Sequence, residues 1–299
     1  MQNLDDLTVL ILTYRTPEKI ILDCLKSLDK NIKILIVENS NDFTHKNIIK
    51  HEFPNVKIIC TGDNLGYAEG NNFGLKHVKT DYVLILNPDV ICEKNFFSNI
   101  LDVIKEAKDF TIIGCQYLFD KVFMPAGFFE RKKDIIFKEK FKKDEIESLE
   151  KVEWVTGCSM LINLKQFNKK EIFDQNYFLY FEEFDLCKSL VKDNKKIFTS
   201  KKLKVHHLGF KSSISDDPQK NSRTINIKDW HYMWSSFYYY KKNYSYIYAL
   251  NKLIGKLFRS LIKLIFYSIN FKKNKRDKYL FRFLGLLKSI LCKPSDYRG

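Results

Sequence analysis

Three clusters of ionisable residues carry chemistry in this chain. Asn87-Pro88-Asp89 ends an apolar run with a carboxylate. One carboxylate can hold a divalent cation when a diphosphate supplies further oxygens; the same tripeptide also favours a plain strand-end turn. Glu182-Glu183-Phe184-Asp185 stands where a helix should begin. Three acids there suit the helix dipole. Alternatively, one of them is a partly buried carboxylate of raised pKa, the usual general base for a hydroxyl nucleophile. His206-His207 follows a β-like stretch. Such a pair is often structural, but an imidazole beside Asp89 would complete a Mn²⁺ or Mg²⁺ site of mixed nitrogen and oxygen donors.

A fourth segment, GDNLGYAEGNNFG at 62–74, is rich in glycine and asparagine. It lacks the Gly-Lys-Ser/Thr ending of a Walker loop, and its spacing and place after a third strand do not fit a dinucleotide fingerprint. It reads either as a ligand loop or as a turn capping a helix.

The elements that must position these residues alternate along the first 120 positions. Leu7–Thr13 is a continuous apolar run, as expected of a strand buried on both faces. Thr16-Pro17 suggests an N-cap with proline at the first helical position, followed by helically spaced Ile20, Ile21, Cys24, Leu25 and Leu28. Further strands are expected at Ile32–Val37, Val56–Cys60, Tyr82–Leu86 and about Thr111–Cys115, with helices at about 68–77 and 93–105. This βαβ series implies a mostly parallel sheet covered by helices on both faces. Ligands of such sheets bind outside the carboxyl ends of the strands. Glu38, Asp63, Asn64 and Asp89 all follow strand ends and would project into one crevice. Residues 117–151 read as an irregular lysine-rich insertion, 196–206 as a strand pair, and 211–223 as a mobile polar loop. Helices dominate from about 225 onward. The boundary is expected near 222, with residues 1–222 forming the α/β domain and 223–299 a basic helical extension.

The chain has 299 residues, 45% hydrophobic and 29% charged, enough to bury a core and unlike a disordered sequence. Its seven cysteines are scattered and include no CxxC pair, which reads as reduced thiols in a cytoplasmic protein. The start lacks the basic region of a signal peptide, and no run is long and apolar enough for a spanning helix. The formal charge is +15, and fifteen Lys/Arg against two acids after position 240 account for +13 of it. Lys252, Lys256, Arg259 and Lys263 share one helical face, and Leu253, Ile254, Leu257, Phe258, Leu261, Ile262 and Ile265 fill the rest. That pattern predicts a helix lying on an anionic membrane surface. Nucleic acid is not the expected partner, because no zinc-finger, RNP or helix-turn-helix pattern accompanies the charge.

In order along the chain, LTVLILTYR, VENSN, NLGYAEGNNFG, LNPDV, VTGCSMLI, FDQNYFLYFEEFDLC and HHLGFKSS, with HYMWSSFYYYKK and KPSDYR beyond, resemble family 2 glycosyltransferases of the GT-A fold. The likeness is strongest to the bacterial rhamnosyltransferase-like branch. It implies an inverting, metal-dependent transfer from a nucleotide-diphospho-sugar, dTDP- or UDP-linked, to a glycan acceptor. Rhamnose is the favoured sugar, with hexosyl, N-acetylhexosaminyl or galactofuranosyl transfer as alternatives. The acceptor would be lipid-linked, with the enzyme peripheral at the inner face of the cell membrane.

The resemblance also implies roles. Thr13, Tyr14, Arg15 and Glu38 would line the base pocket. Asp63, Asn64, Gly66 and Asn72 would lie along the ribose and sugar. Asp89 would be the metal-binding acid of a degenerate DXD motif whose first position is Asn87. His207, or else His206, would be the second ligand. Glu183 would be the catalytic base, with Glu182 as the alternate and Asp185 as the following acid. Arg15 stands where Asn is common, Glu38 and Glu183 where Asp is common, and Cys158 replaces a small residue. Two readings from other classes are a nucleotidyltransferase and a non-catalytic basic binding module. The first wants a basic glycine-rich phosphate loop where this chain has TYRTPEK, and the second leaves Asp89, His207 and Glu183 without a use.

Overall fold

A computed structural model describes residues 4–119, 122–124, 126–129, 149–209 and 218–298. The first half runs β1 (Leu7–Thr13), α1 (Glu18–Lys26), β2 (Lys33–Glu38), α2 (Lys46–Glu52), β3 (Val56–Cys60), α3 (Gly66–His77), β4 (Tyr82–Leu86), β5 (Val90–Cys92), α4 (Phe96–Glu106) and β6 (Ile112–Phe119). Then follow β7 (Val122–Met124), β8 (Leu149–Val152), β9 (Ser159–Asn163), α5 (Glu182–Lys192), β10 (Ile197–His207), α6 (Pro218–Asn243), α7 (Tyr246–Ile269) and α8 (Lys273–Ile290).

The strands form one sheet in the order β3-β2-β1-β4-β9-β6-β10-β5, with β7 beside β6 and β8 beside β10. The apolar runs explain its centre: every residue of β1 but Leu12 is buried, as a strand covered on both faces requires. β1 pairs in parallel with β2 and β4, and β2 with β3. β9 runs antiparallel between β4 and β6. Helices cover both faces. Ile21 and Leu25 of α1 and Phe96 and Ile100 of α4 pack with Val9, Ile11 and Ile36. On the other face, Gly70 and Gly74 let α3 lie directly against Leu10, Leu12 and Val37.

Several expectations change. Pro17 itself occupies the α1 cap, one residue later than Thr16-Pro17 suggests. The strand pair near 196–206 is a single strand, β10, whose register with β6 shifts between Ser200 and Lys204. Lys201, Lys202 and Leu203 form this irregularity, and the two lysines imitate a turn. The expected 211–223 loop is helical from Pro218; its residues 211–217 lie outside the described part. Most of the 117–151 insertion also lies outside it, although β6, β7 and β8 reach into both of its ends.

The chain divides into two compact units. One holds Met1–Leu65, Gly70–Phe173 and Leu186–Ile214, and contains the whole sheet. The other holds Gly66–Glu69, Asp174–Asp185 and Ser215–Gly299. The second unit thus recruits two short segments from within the first 222 residues. Its helices α6, α7 and α8 enclose Met233, Phe237, Ala249, Leu253 and Leu286. Gly285 lets α8 cross α6 closely, since a Cβ there would run into the Trp230 carbonyl.

Candidate active site

In the sheet unit the polar residues gather where the apolar strands stop. Thr13 and Glu38 are register partners at the ends of β1 and β2. Glu38 is fully buried. It accepts hydrogen bonds from Thr13 Oγ1 at 2.6 Å, Arg15 N at 3.0 Å and Ser40 Oγ at 2.8 Å. Three donors offset the desolvation of this carboxylate. Tyr14 and Arg15 remain exposed. Arg15 adopts φ +49, with its guanidinium 5.5 Å from the Tyr14 ring centroid.

Asn39, which the sequence reading did not single out, ties this region to the next loop. Its Oδ1 accepts Leu65 N at 3.0 Å and Thr61 Oγ1 at 3.2 Å, and its Nδ2 donates to Asn64 Oδ1 at 3.1 Å. Its position directly after Glu38 in VENSN was the available signal. Asp63 is exposed. Asn72 has a different employment from the sugar contact expected of it. It is buried, and its amide both donates to Phe173 O at 2.8 Å and accepts Phe173 N at 3.1 Å.

Asp89 leaves β4 through the Asn87-Pro88-Asp89 turn, closed by Val90 N donating to Asn87 O at 3.2 Å. Asn87 is partly buried, with its backbone N bonded to Cys158 O at 2.9 Å. Asp89 is only 1% exposed. Strand β5 begins at the next residue and pairs antiparallel with the end of β10, Val90 opposite His207. Leu208 N donates to Asp89 O at 2.9 Å. This ladder brings Asp89 Oδ1 to 3.3 Å from His207 Nε2. The negative field of Asp89 is felt nearby: burial, then Asp89, push the Cys24 thiol up to about 12.

His206 points the opposite way, as strand alternation dictates. Its Nε2 lies 3.3 Å from Glu93 Oε1 on an exposed surface. Among the described residues no set of three His, Cys, Asp or Glu side chains gathers as a metal cluster. One carboxylate and one imidazole are donors suited to a divalent cation, which would take its remaining ligands from a diphosphate and water.

The acid motif belongs to the helical unit. Tyr180 and Phe181 both occupy the left-handed region, at φ +71 and +72, immediately before α5. Two bulky residues in that conformation are strained, and such strain concentrates at functional sites. Glu182 is buried, and its Oε2 has no hydrogen-bond partner among the described residues. Burial first, and the charge of Glu183 second, hold its carboxyl well above the usual range. Glu183 is only partly buried. Asp185 is buried and committed elsewhere: its Oδ2 meets Lys242 Nζ at 2.6 Å and its Oδ1 accepts Asn243 Nδ2 at 2.8 Å. In the same unit Gly66, at φ +79, opens α3, and Tyr67 N donates to Phe178 O at 2.7 Å. A side chain at Gly66 would collide with that carbonyl.

Residues 8–173 match the model of the family described as Glycosyl transferase family 2. Rhamnosyltransferase WbbL of Escherichia coli (strain K12) is 29% identical over 189 residues, 56% of this chain and 70% of that protein. The N-acetylglucosaminyl-diphospho-decaprenol L-rhamnosyltransferase of Mycobacterium tuberculosis is 23% identical over 227 residues, 63% of this chain and 71% of that protein. Among solved structures, GalNAc-T7 with UDP, GalNAc and Mn²⁺ superposes with a TM-score of 0.53 at 12% identity, over 79% of this chain and 51% of that one. That likeness is one of fold: a mixed α/β GT-A sheet surrounded by helices.

Proposed function

The chain belongs to glycosyl transferase family 2, and from that premise we propose an inverting transfer of a sugar, rhamnose by preference, from a dTDP- or UDP-sugar to a hydroxyl of a lipid-linked glycan at the inner face of an anionic membrane. The observation that carries this reading is buried Asp89 held 3.3 Å from His207 at the carboxyl end of the sheet. The preference for rhamnose rests on the two rhamnosyltransferase relatives, and the diphospho-lipid acceptor on the mycobacterial one alone.

Asp89 and His207 would hold a divalent cation. Such an ion, when bound, supplies positive charge that stabilises a departing diphosphate. Glu38, Thr13 and the Asn39–Asn64 pair would fix the nucleoside side of the donor. Glu183 takes the proton of the acceptor hydroxyl as its oxygen bonds to the anomeric carbon. The bond from that carbon to the diphosphate oxygen breaks on the opposite face, and the nucleoside diphosphate leaves. Opposed attack and departure invert the anomeric centre, as in hydrolases with opposed groups. Burial and the charge of Glu183 raise the Glu182 carboxyl, which makes Glu182 the less suited of the two to serve as the carboxylate base.

The test is transfer by the full chain from a panel of dTDP-, UDP- and GDP-sugars to a polyprenyl-diphosphate-linked acceptor, with Glu183→Gln beside it. A general base is worth roughly 10²–10⁴ in rate. The variant should lose that much turnover while binding donor as before. Undiminished turnover would reject Glu183 as the base, and absence of transfer from every donor would reject the activity.

A further inference from the structure

Helix α7 turns outward the face that a soluble helix normally hides. Ile247, Phe258, Leu261, Ile262, Ile265, Phe266 and Ile269 are all exposed, Ile262 by 66%. At 3.6 residues per turn they share one side, and they span about 33 Å of helix. Asn251 and Gly255 are its polar and bare positions, and exposed Arg259 borders it one helical repeat before Phe266. The line runs on to Phe271, 93% exposed in the turn before α8. Lys272, Lys273, Lys275, Arg276 and Lys278 follow at once.

The basic stripe foreseen from the sequence faces out only in part: Lys256 and Arg259 are exposed, whereas Lys252 and Lys263 turn toward neighbouring helices. Lys263 Nζ donates to Tyr279 Oη of α8 at 2.9 Å. Lys252 Nζ lies 5.7 Å from the Tyr240 ring centroid of α6. These two cations fasten α7 to its neighbours. Ala249, Leu253 and Ser260 form the buried side.

We infer that α7 lies flat in the interface of an anionic bilayer, with the Ile247–Ile269 line and Phe271 among the acyl chains and the 272–278 cations on headgroup phosphates. This deepens the membrane-borne acceptor of the proposed function and rests on that reading for its purpose. Three observations select a bilayer as the occupant. An uncharged apolar line bordered by cations matches the polarity profile of an anionic membrane surface. No helix among the described residues is long and apolar enough to cross a membrane, and a helix that is apolar on one side only suits the membrane plane. A second copy would bring two tails of +13 together, which like-charge repulsion opposes.

The experiment is flotation of the full chain with vesicles of phosphatidylcholine and phosphatidylglycerol. Ile262→Asp with Ile265→Asp should weaken vesicle binding by roughly tenfold or more. Lys272→Gln with Lys273→Gln and Lys275→Gln should weaken it only at low salt, because salt screens the charges and not the apolar contact. A Phe258→Trp reporter, read above the buried Trp154, Trp230 and Trp234, should shift to the blue on vesicles and be quenched by brominated acyl chains. Flotation of the double aspartate variant equal to the parent, or a reporter that keeps a water-exposed emission, overturns the inference. So does self-association that the double variant abolishes without vesicle binding by the parent. Transfer to a water-soluble acceptor separates the two readings: its survival with no flotation sinks only the membrane inference, and its loss with flotation intact sinks only the transferase reading.

Discussion

Asp89 Oδ1 and His207 Nε2 lie 3.3 Å apart because Val90 and His207 are partners across the β5–β10 ladder. Residues 118 positions apart in sequence thus meet through one antiparallel pairing, and His206, one step along, is carried to Glu93. Removing either member of the pair should weaken metal-dependent nucleotide binding. His207→Ala should cost at least about tenfold in Mn²⁺ affinity, Asp89→Ala should abolish the metal effect, and His206→Ala should change nothing. Thermal shifts with UDP and dTDP, with and without Mn²⁺, read all three. Equal losses from His206→Ala and His207→Ala would refute the geometric assignment.

Glu182 gives a pH signature. Its carboxyl is raised above the ordinary 4.5 by burial and by Glu183. Folding therefore favours its protonated form. Its contribution to stability is complete below about pH 4.5, and it is lost as pH rises toward the folded-state value. Glu182→Gln keeps a neutral side chain at every pH. Relative to the parent, the variant should gain stability with rising pH, by up to about 1.4 kcal/mol per unit within that window. Urea unfolding midpoints from pH 4 to pH 9 measure it. A constant difference across the range would show that Glu182 does not titrate on unfolding.

The central sheet was legible because β1, β2 and β4 are continuous apolar runs, and the polar cluster of the candidate site because Glu38 closes one run and Asp89 follows another after Asn87-Pro88. Position after a strand end does not say which face a side chain takes. The choice between His206 and His207 needed the register with β5, which no local pattern encodes. Asn72 looked like a ligand contact, yet its amide closes on the Phe173 backbone 101 residues away. The irregularity at 201–203 hid the continuity of β10, since two lysines in a strand imitate a turn. A helical wheel separates the two faces of α7 but cannot tell which one packs on α6 and α8. That choice is made by Met233, Phe237 and Leu286 on the other helices, which enclose Ala249 and Leu253.

Lys242 should matter to stability more than an ordinary surface lysine. It bonds Asp185 at 2.6 Å and Asp174 at 2.7 Å, while Asn243 and Tyr238 complete the two carboxylates. Lys242→Met would leave Asp185 buried without its counter-charge. Breaking a buried pair typically costs about 3–5 kcal/mol. Lys242 is 39% exposed, so solvent offsets part of that, and about 2 kcal/mol is expected. Adding Asp185→Asn should recover most of it, because the stranded charge disappears. A double-mutant cycle from urea titrations tests the coupling, and strictly additive losses would deny it.

His231 is the buried hinge of the chain's last residues. Its Nε2 donates to Tyr297 O at 2.8 Å, its Nδ1 accepts from Ser295 Oγ at 3.0 Å, and its ring stacks on Phe178 at 4.4 Å between centroids. Protonation would make Nδ1 a donor and force the Ser295 hydroxyl to turn and accept, and burial lowers the ring's pKa from 6.5 to about 4. Stability from this group is complete above about pH 6.5 and declines as pH falls through the folded-state value. The helical unit should therefore loosen between those limits, by up to about 1.4 kcal/mol per pH unit. Trp234 Nε1, which donates to Lys293 O at 3.0 Å, sits beside the same tail and serves as its fluorescence probe. Acid titration of Trp emission should show the release in the parent. His231→Asn, whose amide does not titrate, should remove the pH dependence while lowering stability at neutral pH. If the variant and the parent respond alike to acid, the transition belongs to some other group and His231 is only a packing residue.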